Sequence, residues 1–376
     1  MILHICKEGK AETAEKCLLE MTRDSRVQAV LVLACDANGW TKEGVDPWIR
    51  ACRIPVFGGI FPQILADGQN LEKGFLMAGL FHPVEILVLT GTSRPGMDFD
   101  TILEEGIRGM DFHKKTLFAF VDGLSRRIEA LLQGLFNSIG LIPNYIGGGA
   151  GSLSFIQKPC IITPMGLLMD AAVLALSAVP SSIGVAHGWS PISEAVKVTE
   201  SRQNRIISLN WEPAFTVYRR IVERHSRLSF ESTPFFDIAR AYPLGIARMD
   251  AEMVVRDPIF TEYEALICVG EVPEGTYVHV MNGDMRSLIA GAEEARKAAF
   301  RVYTGKEDHP VLFLMDCISR VLFMEEHFKL EILALSQNGC TFGALSLGEI
   351  ANTGESSLEF YNKTVVAGLL GDAHES

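Results

Sequence analysis

Asp316-Cys317-Ile318-Ser319-Arg320 places a thiol and a guanidinium directly after an apolar run. At a rigid strand end Arg320 could fork a carboxylate or phosphate. Cys317 would gain nucleophilic character if Arg320 lowered its pKa. The plainer reading makes Cys317 a small core residue and pairs Arg320 with Asp316 or Glu331. In Gly348-Glu349-Ile350 a glycine lets the chain turn beside a carboxylate, which either accepts hydrogen bonds from a ligand amine or stands exposed in a turn. His187-Gly188-Trp189 sets a histidine where a strand leaves the core, suited to an axial haem ligand, a proton-transfer residue or a structural hydrogen bond. No C-x-x-C-H motif for covalent haem is present. His327 and Glu331, four apart on a helix, could share a metal, but two ligands do not make a site and a solvated pair is the better expectation. Ile146-Gly147-Gly148-Gly149-Ala150-Gly151-Ser152 invites a phosphate-loop reading. It lacks a G-K-[ST] ending and a following helix, so a glycine-rich strand end shaping a pocket or turn is favoured.

The elements that must position these residues show a repeat. An apolar strand ending in Asp, a helix-sized stretch and a strand running into glycine occur three times: Val30 to Asp36 before Gly58-Gly59, Leu117 to Asp122 before Gly147 to Gly149, and Val311 to Asp316 before Gly343. Three similar β-α-β blocks would place three glycine-bearing strand ends at comparable points, where backbone can approach a ligand or another backbone. Helices are expected through Ala11 to Met21, Ile128 to Ile139, Leu288 to Val302 behind an Asn282 or Asp284 cap, and Met324 to Leu335. Strands are expected at Gly74 to Leu80, Glu85 to Thr90, Ala171 to Leu176, Arg205 to Leu209, Leu244 to Met249 and Leu358 to Leu370, with a hinge near residues 205–222. The fold class is α/β, with mixed sheets and helices built from repeated β-α-β units in two related halves, residues 1–212 and 213–370, before a tail at 371–376.

With 376 residues the chain exceeds the usual span of one core. Its 34 basic and 46 acidic residues give a formal charge of -12, which disfavours nucleic-acid and anionic-membrane binding. Ala171 to Ala186, the longest apolar stretch, is broken by serines and Pro180, so buried strands are expected there rather than a membrane helix. Residues 1–10 lack the pattern of a signal peptide, and a cytoplasmic location is the default. Eight scattered cysteines without C-x-x-C read as buried free thiols and give no support for a zinc cage.

Over nearly its whole length the chain resembles the FIST family, the "F-box and intracellular signal transduction" sensory domains. The resemblance rests on Ala29 to Asp36, Val56 to Pro62, Gly147 to Ser152 and His187-Gly188-Trp189 in the first half. In the second half it rests on Tyr242 to Gly245, Val255-Arg256-Asp257, Cys317 to Arg320, Gly348-Glu349-Ile350 and Tyr361-Asn362-Lys363-Thr364. The number and order of these pieces carry it. Phe342-Gly343 inverts the family's Gly-Phe order, and Asn362-Lys363-Thr364 replaces a more usual Asn-Gln-Thr.

The resemblance implies an intracellular ligand-sensing module with amino acids among the proposed ligands. It implies a histidine kinase, chemoreceptor or diguanylate cyclase as signalling partner, since no residues remain here for such an output. Gly147, Gly148, Gly149, Cys317, Arg320, Gly348 and Glu349 are carried over as pocket residues, and His187 as the haem candidate, because some members look like haem-binding nitric-oxide sensors. The leading expectation is a non-enzymatic sensor of a small polar, amino-acid-like metabolite, with Arg320 and Glu349 as its charged pair. A haem sensor using His187 and an enzyme with Cys317 as nucleophile are the alternatives.

Overall fold

Seven-residue apolar runs without polar alternation suit strands buried on both faces. Ala29–Cys35, Thr116–Asp122 and Ala171–Ser177 are such strands, and every residue in them is buried. The computed structural model describes residues 1–248, 252–303, 310–337, 339–352 and 358–371. Nearly all of the expected tail, and Met249 at the end of the expected Leu244 to Met249 strand, lie outside the described residues.

The three blocks form three mixed sheets of one design. In each, a central strand is paired in parallel with the strand that follows its helix: Ala29–Cys35 with Val56–Phe61, Thr116–Asp122 with Asn144–Ala150, and Val311–Cys317 with Thr341–Ser346. A returning strand lies antiparallel on the other side, Phe75–Leu80, Ala171–Ser177 and Val365–Leu370 respectively. An outer strand then pairs with the return: Ile2–Cys6, Val84–Thr90 and Ser181–Ala186.

The free edge of each parallel strand is covered by a hairpin from a different block. Gln63–Ala66 with Gln69–Leu71, from the first block, joins the third sheet. Ile161–Thr163 with Gly166–Leu168, from the second, joins the first sheet. Glu349–Asn352 with Leu358–Tyr361, from the third, joins the second sheet. The exchange is cyclic, so each sheet is completed by another block, whose hairpin covers the edge of the buried parallel strand.

Where the sheets meet, Phe57, Phe118 and Phe313 form a continuous aromatic core. The ring centroids of Phe57 and Phe118 are 5.9 Å apart, and those of Phe118 and Phe313 are 5.8 Å apart.

Between the outer strand and helix of the third block, residues 190–282 build a second kind of structure. Tyr277–Asn282, Val196–Arg202, Arg205–Leu209, Ala265–Val269, Val254–Glu262 and Leu244–Ile246 pair in that order, and the last pairs back with the first. The result is a closed antiparallel barrel, with helix Ala214–Ser226 against it. The strand expected at Arg205 to Leu209 is present in the barrel, and a tight turn leads from it into this helix. Strands on both sides of residue 212 contribute to the barrel, so its hydrogen bonds cross that position.

Most expected helices are present. Met285–Val302 is capped by Asp284, whose side chain accepts from the Ser287 amide. The helix expected through Met324 to Leu335 is broken into Ile318–Met324 and Phe328–Leu335 by a turn at Glu325, where φ is 52°. Gly348-Glu349-Ile350 is no exposed turn: Glu349 begins a strand and is fully buried.

Candidate functional site

The repeated glycines are explained by backbone packing. Gly58, Gly147 and Gly343 sit opposite Val32, Ala119 and Leu314 in equivalent registers of the three sheets. A Cβ at any of them would lie 1.8 to 2.0 Å from that partner's carbonyl oxygen. The aspartates are not equivalent in the same way. Asp122 ends its strand, Asp316 is one residue short of the end, and Asp36 lies beyond it in a 3-10 turn.

The structure brings the expected pocket residues together, but mostly as a sealed joint between the second and third blocks. Gly147 and Gly148 pair with Ile350 and Glu349. The Gly149 amide donates to Gly348 O at 2.8 Å.

Arg320 is fully buried, and all of its donors are engaged. Nε donates to Glu331 Oε1 at 2.8 Å and Nη2 to Glu331 Oε2. Nη1 serves the carbonyls of His187 and Lys363 at 2.7 and 3.1 Å, and Nη2 also reaches Leu288 O at 2.9 Å. Asp316 Oδ1 lies 3.4 Å from Nε. Arg320 therefore ties four segments together and has no donor left for a ligand.

Glu331 is the buried partner in this pair, so the expectation of a solvated His327 and Glu331 pair does not hold; His327 is exposed. Among the described residues no group of three or more His, Cys, Asp or Glu is placed to hold a metal.

Burial pushes the carboxyls of Asp316 and Glu349 well up, and the Glu331 carboxylate adds to the effect at Asp316. Glu349 Oε1 accepts from Ser346 Oγ at 2.8 Å. Cys317 is buried with its Sγ 3.0 Å from Ser319 Oγ. Burial, and then the neighbouring Glu349 carboxyl, push its thiol up, which fits the plainer reading of Cys317 as a small core residue. Cys17, Cys35, Cys160 and Cys268 are buried as well, whereas Cys340 is exposed.

His187 is buried, and its Nδ1 accepts from the Trp189 amide at 2.9 Å. Nε2 lies 3.1 Å from Glu252 Oε1. Burial and the Arg320 charge hold the ring neutral down to about 3. Nε2 is buried and makes no hydrogen bond among the described residues.

A cleft of about 760 Å³ opens beside this joint. One wall is the segment after strand Thr116–Asp122, with Leu124, Ser125, Arg126, Ile128 and Glu129. The second is Cys317, Ser319, Leu322 and Leu347, continued by Phe360 and Asn362. The barrel supplies the third through Asn204, Asp257, Ile259, Val269 and Glu271, while Phe155 and Phe236 flank the opening. Of the expected site residues, Cys317 alone is in this lining, and no histidine is.

The back of the cleft is braced by Arg256, which is buried and donates to Glu271 O at 2.8 Å and to Phe360 O at 2.7 Å. Asp257 Oδ2 lies 3.2 Å from Lys363 Nζ, which also donates to Arg240 O at 3.0 Å and sits 5.3 Å from the centre of the Trp189 ring. Burial pushes the Asp257 carboxyl up, and Lys363 opposes this.

Asp257 and Asn362 fall inside the sequence pieces Val255-Arg256-Asp257 and Tyr361-Asn362-Lys363-Thr364, which identified them as motif members without a role. Arg126, an exposed cation of the lining, carried no signal in the sequence. Apolar walls with a few convergent polar groups are the ordinary make-up of a small-molecule site.

No helix among the described residues is long and apolar enough to cross a membrane. No curated protein matches the chain. The FIST N domain matches residues 50–212 and the FIST C domain matches residues 214–352. Together they span most of the chain, which therefore belongs to the FIST family of sensory domains in signal transduction.

Proposed function

We propose that this chain is a cytoplasmic ligand-sensing module that takes an amino-acid-like metabolite into the 760 Å³ cleft and relays its presence to a signalling partner. A histidine kinase, a chemoreceptor or a diguanylate cyclase is the kind of partner the family suggests. The observation that carries the reading is where the cleft lies. Three separate pieces of the fold line it, namely two strand ends and the barrel, so a ligand between them would bias their relative positions.

The way out of the site is short. Ser319 and Leu322 line the cleft from helix Ile318–Met324, and Arg320 on the same helix holds Glu331 of the next helix and Leu288 O of helix Met285–Val302. A ligand that displaced the first helix would act on the other two through this buried charge.

Binding without catalysis is the favoured mode. The Cys317 thiol and the Glu349 carboxyl beside it are both pushed towards their protonated forms, which supplies neither a thiolate nor a ready base.

The test is a thermal-shift screen of metabolites on the full chain and on Leu322→Trp, which fills the cleft from a half-exposed rim position. A ligand that binds the native state raises the melting temperature, and at a hundredfold excess over Kd the gain is about 2.7 kcal/mol. The proposal expects hits in the parent that disappear in the variant. Hits of equal size in both proteins would place the ligand elsewhere and sink it.

A further inference from the structure

Two residues of the cleft lining each carry a buried acceptor that the fold leaves without a partner. Asp257 is 4% exposed and Asn362 is 2% exposed, and each lines the cavity. Oδ1 of each finds no hydrogen-bond partner among the described residues. Buried polar atoms are nearly always paired, so two orphans among the residues lining one cavity call for a donor from outside the chain. Lys363 ties the two walls together, since it pairs with Asp257 Oδ2 and is the next residue after Asn362.

We propose that Asp257 Oδ1 and Asn362 Oδ1 form a subsite for a nitrogen that carries at least two hydrogens, a primary ammonium or a primary carboxamide. An apolar part of such a ligand lies against Ile259, Leu347 and Phe360. A carboxylate is excluded from this position, because it would set its lone pairs against those of both acceptors. Glu129 and Glu271 in the same lining add to that repulsion. Arg320 and Glu349 take no part.

This inference rests on the cleft being the ligand site, and the experiment separates the two. Binding of 2-phenylethylamine, 2-phenylacetamide, phenylacetate and 2-phenylethanol to the full chain is measured by calorimetry. The four share one ring and differ in the polar group. The amine or the amide should bind at least about tenfold more tightly than phenylacetate, and whichever is the stronger names the class. Replacing Asn362 by Leu should cost that compound about tenfold while leaving 2-phenylethanol nearly unaffected.

The contrast between amine and acid needs no variant, so it stands even if Asn362→Leu fails to fold. Phenylacetate binding as tightly as both nitrogen compounds would overturn the subsite, as would unchanged affinities in folded Asn362→Leu. If all four bind alike and Leu322→Trp abolishes them, the cleft reading survives and the subsite does not. If none binds, the subsite falls, while the cleft reading is decided by the metabolite screen on the parent and Leu322→Trp.

Discussion

Arg320 stands at the centre of a buried cluster, and its removal leaves the Glu331 carboxylate without its guanidinium partner. Breaking a buried ion pair from one side costs about 3–5 kcal/mol, because the remaining charge is not solvated. Arg320→Met should lower the stability of the chain by that order in urea unfolding, through the fold rather than through any ligand. Lysine is no substitute, since one ammonium cannot reach Glu331, His187 O, Lys363 O and Leu288 O together.

His187 gives a second prediction. Burial keeps its imidazole neutral down to about 3, against 6.5 for the free group, so between these values the unfolded chain binds one proton more. The stabilisation is complete above 6.5 and is lost as pH falls towards 3. The raised carboxyls of Asp316 and Glu349 act in the opposite sense, since the folded state holds their protons longer as pH rises. Urea midpoints across pH 3 to 6.5 should therefore fall less steeply towards acid in His187→Gln than in the parent. Parallel curves would show that the buried ring does not set the acid limb. An electrophile near neutral pH should label exposed Cys340 well before buried Cys317.

At the scale of elements, the three parallel strand pairs depend on glycine. The Cβ of Gly343→Ala would sit 1.9 Å from Leu314 O, so either the strands part or the backbone shifts. The cost should reach the upper end of the ~1–3 kcal/mol typical of overpacking, read from the urea midpoint. Asp284→Ala removes the cap of helix Met285–Val302 and should cost about 1 kcal/mol, because the Ser287 amide loses its acceptor. The regular helices were legible because each follows one period, and the central strands because each is an unbroken apolar run. The strand Glu349–Asn352 was hidden, since a glycine before a charged residue reads locally as a turn. Glu349 is inside because the second sheet receives this strand from the third block.

For the molecule as a whole, the cyclic exchange of hairpins means that no block completes its own sheet. Residues 1–212 alone would lack the strands Glu349–Asn352 and Leu358–Tyr361 from the second sheet and Leu244–Ile246, Val254–Glu262, Ala265–Val269 and Tyr277–Asn282 from the barrel. That fragment should fail to give a cooperative transition, and the full chain should unfold in a single calorimetric one. Two well-separated transitions in the full chain would count against such interdependence.

Local pattern in the sequence determined the three repeated blocks, the helix that Asp284 caps and the membership of Asp257 and Asn362 in recognisable pieces. It also placed Cys317 and Arg320 at a strand end. Neighbours in the chain could not decide which way those side chains face. Burial of the strand end turned Arg320 inward to Glu331, 11 residues further on, and to carbonyls of Leu288 and His187. The pairing of distant segments left Asp257 and Asn362, 105 positions apart, lining one cavity. Contacts over such separations depend on how closed sheets and a barrel pack, and no local period encodes that packing.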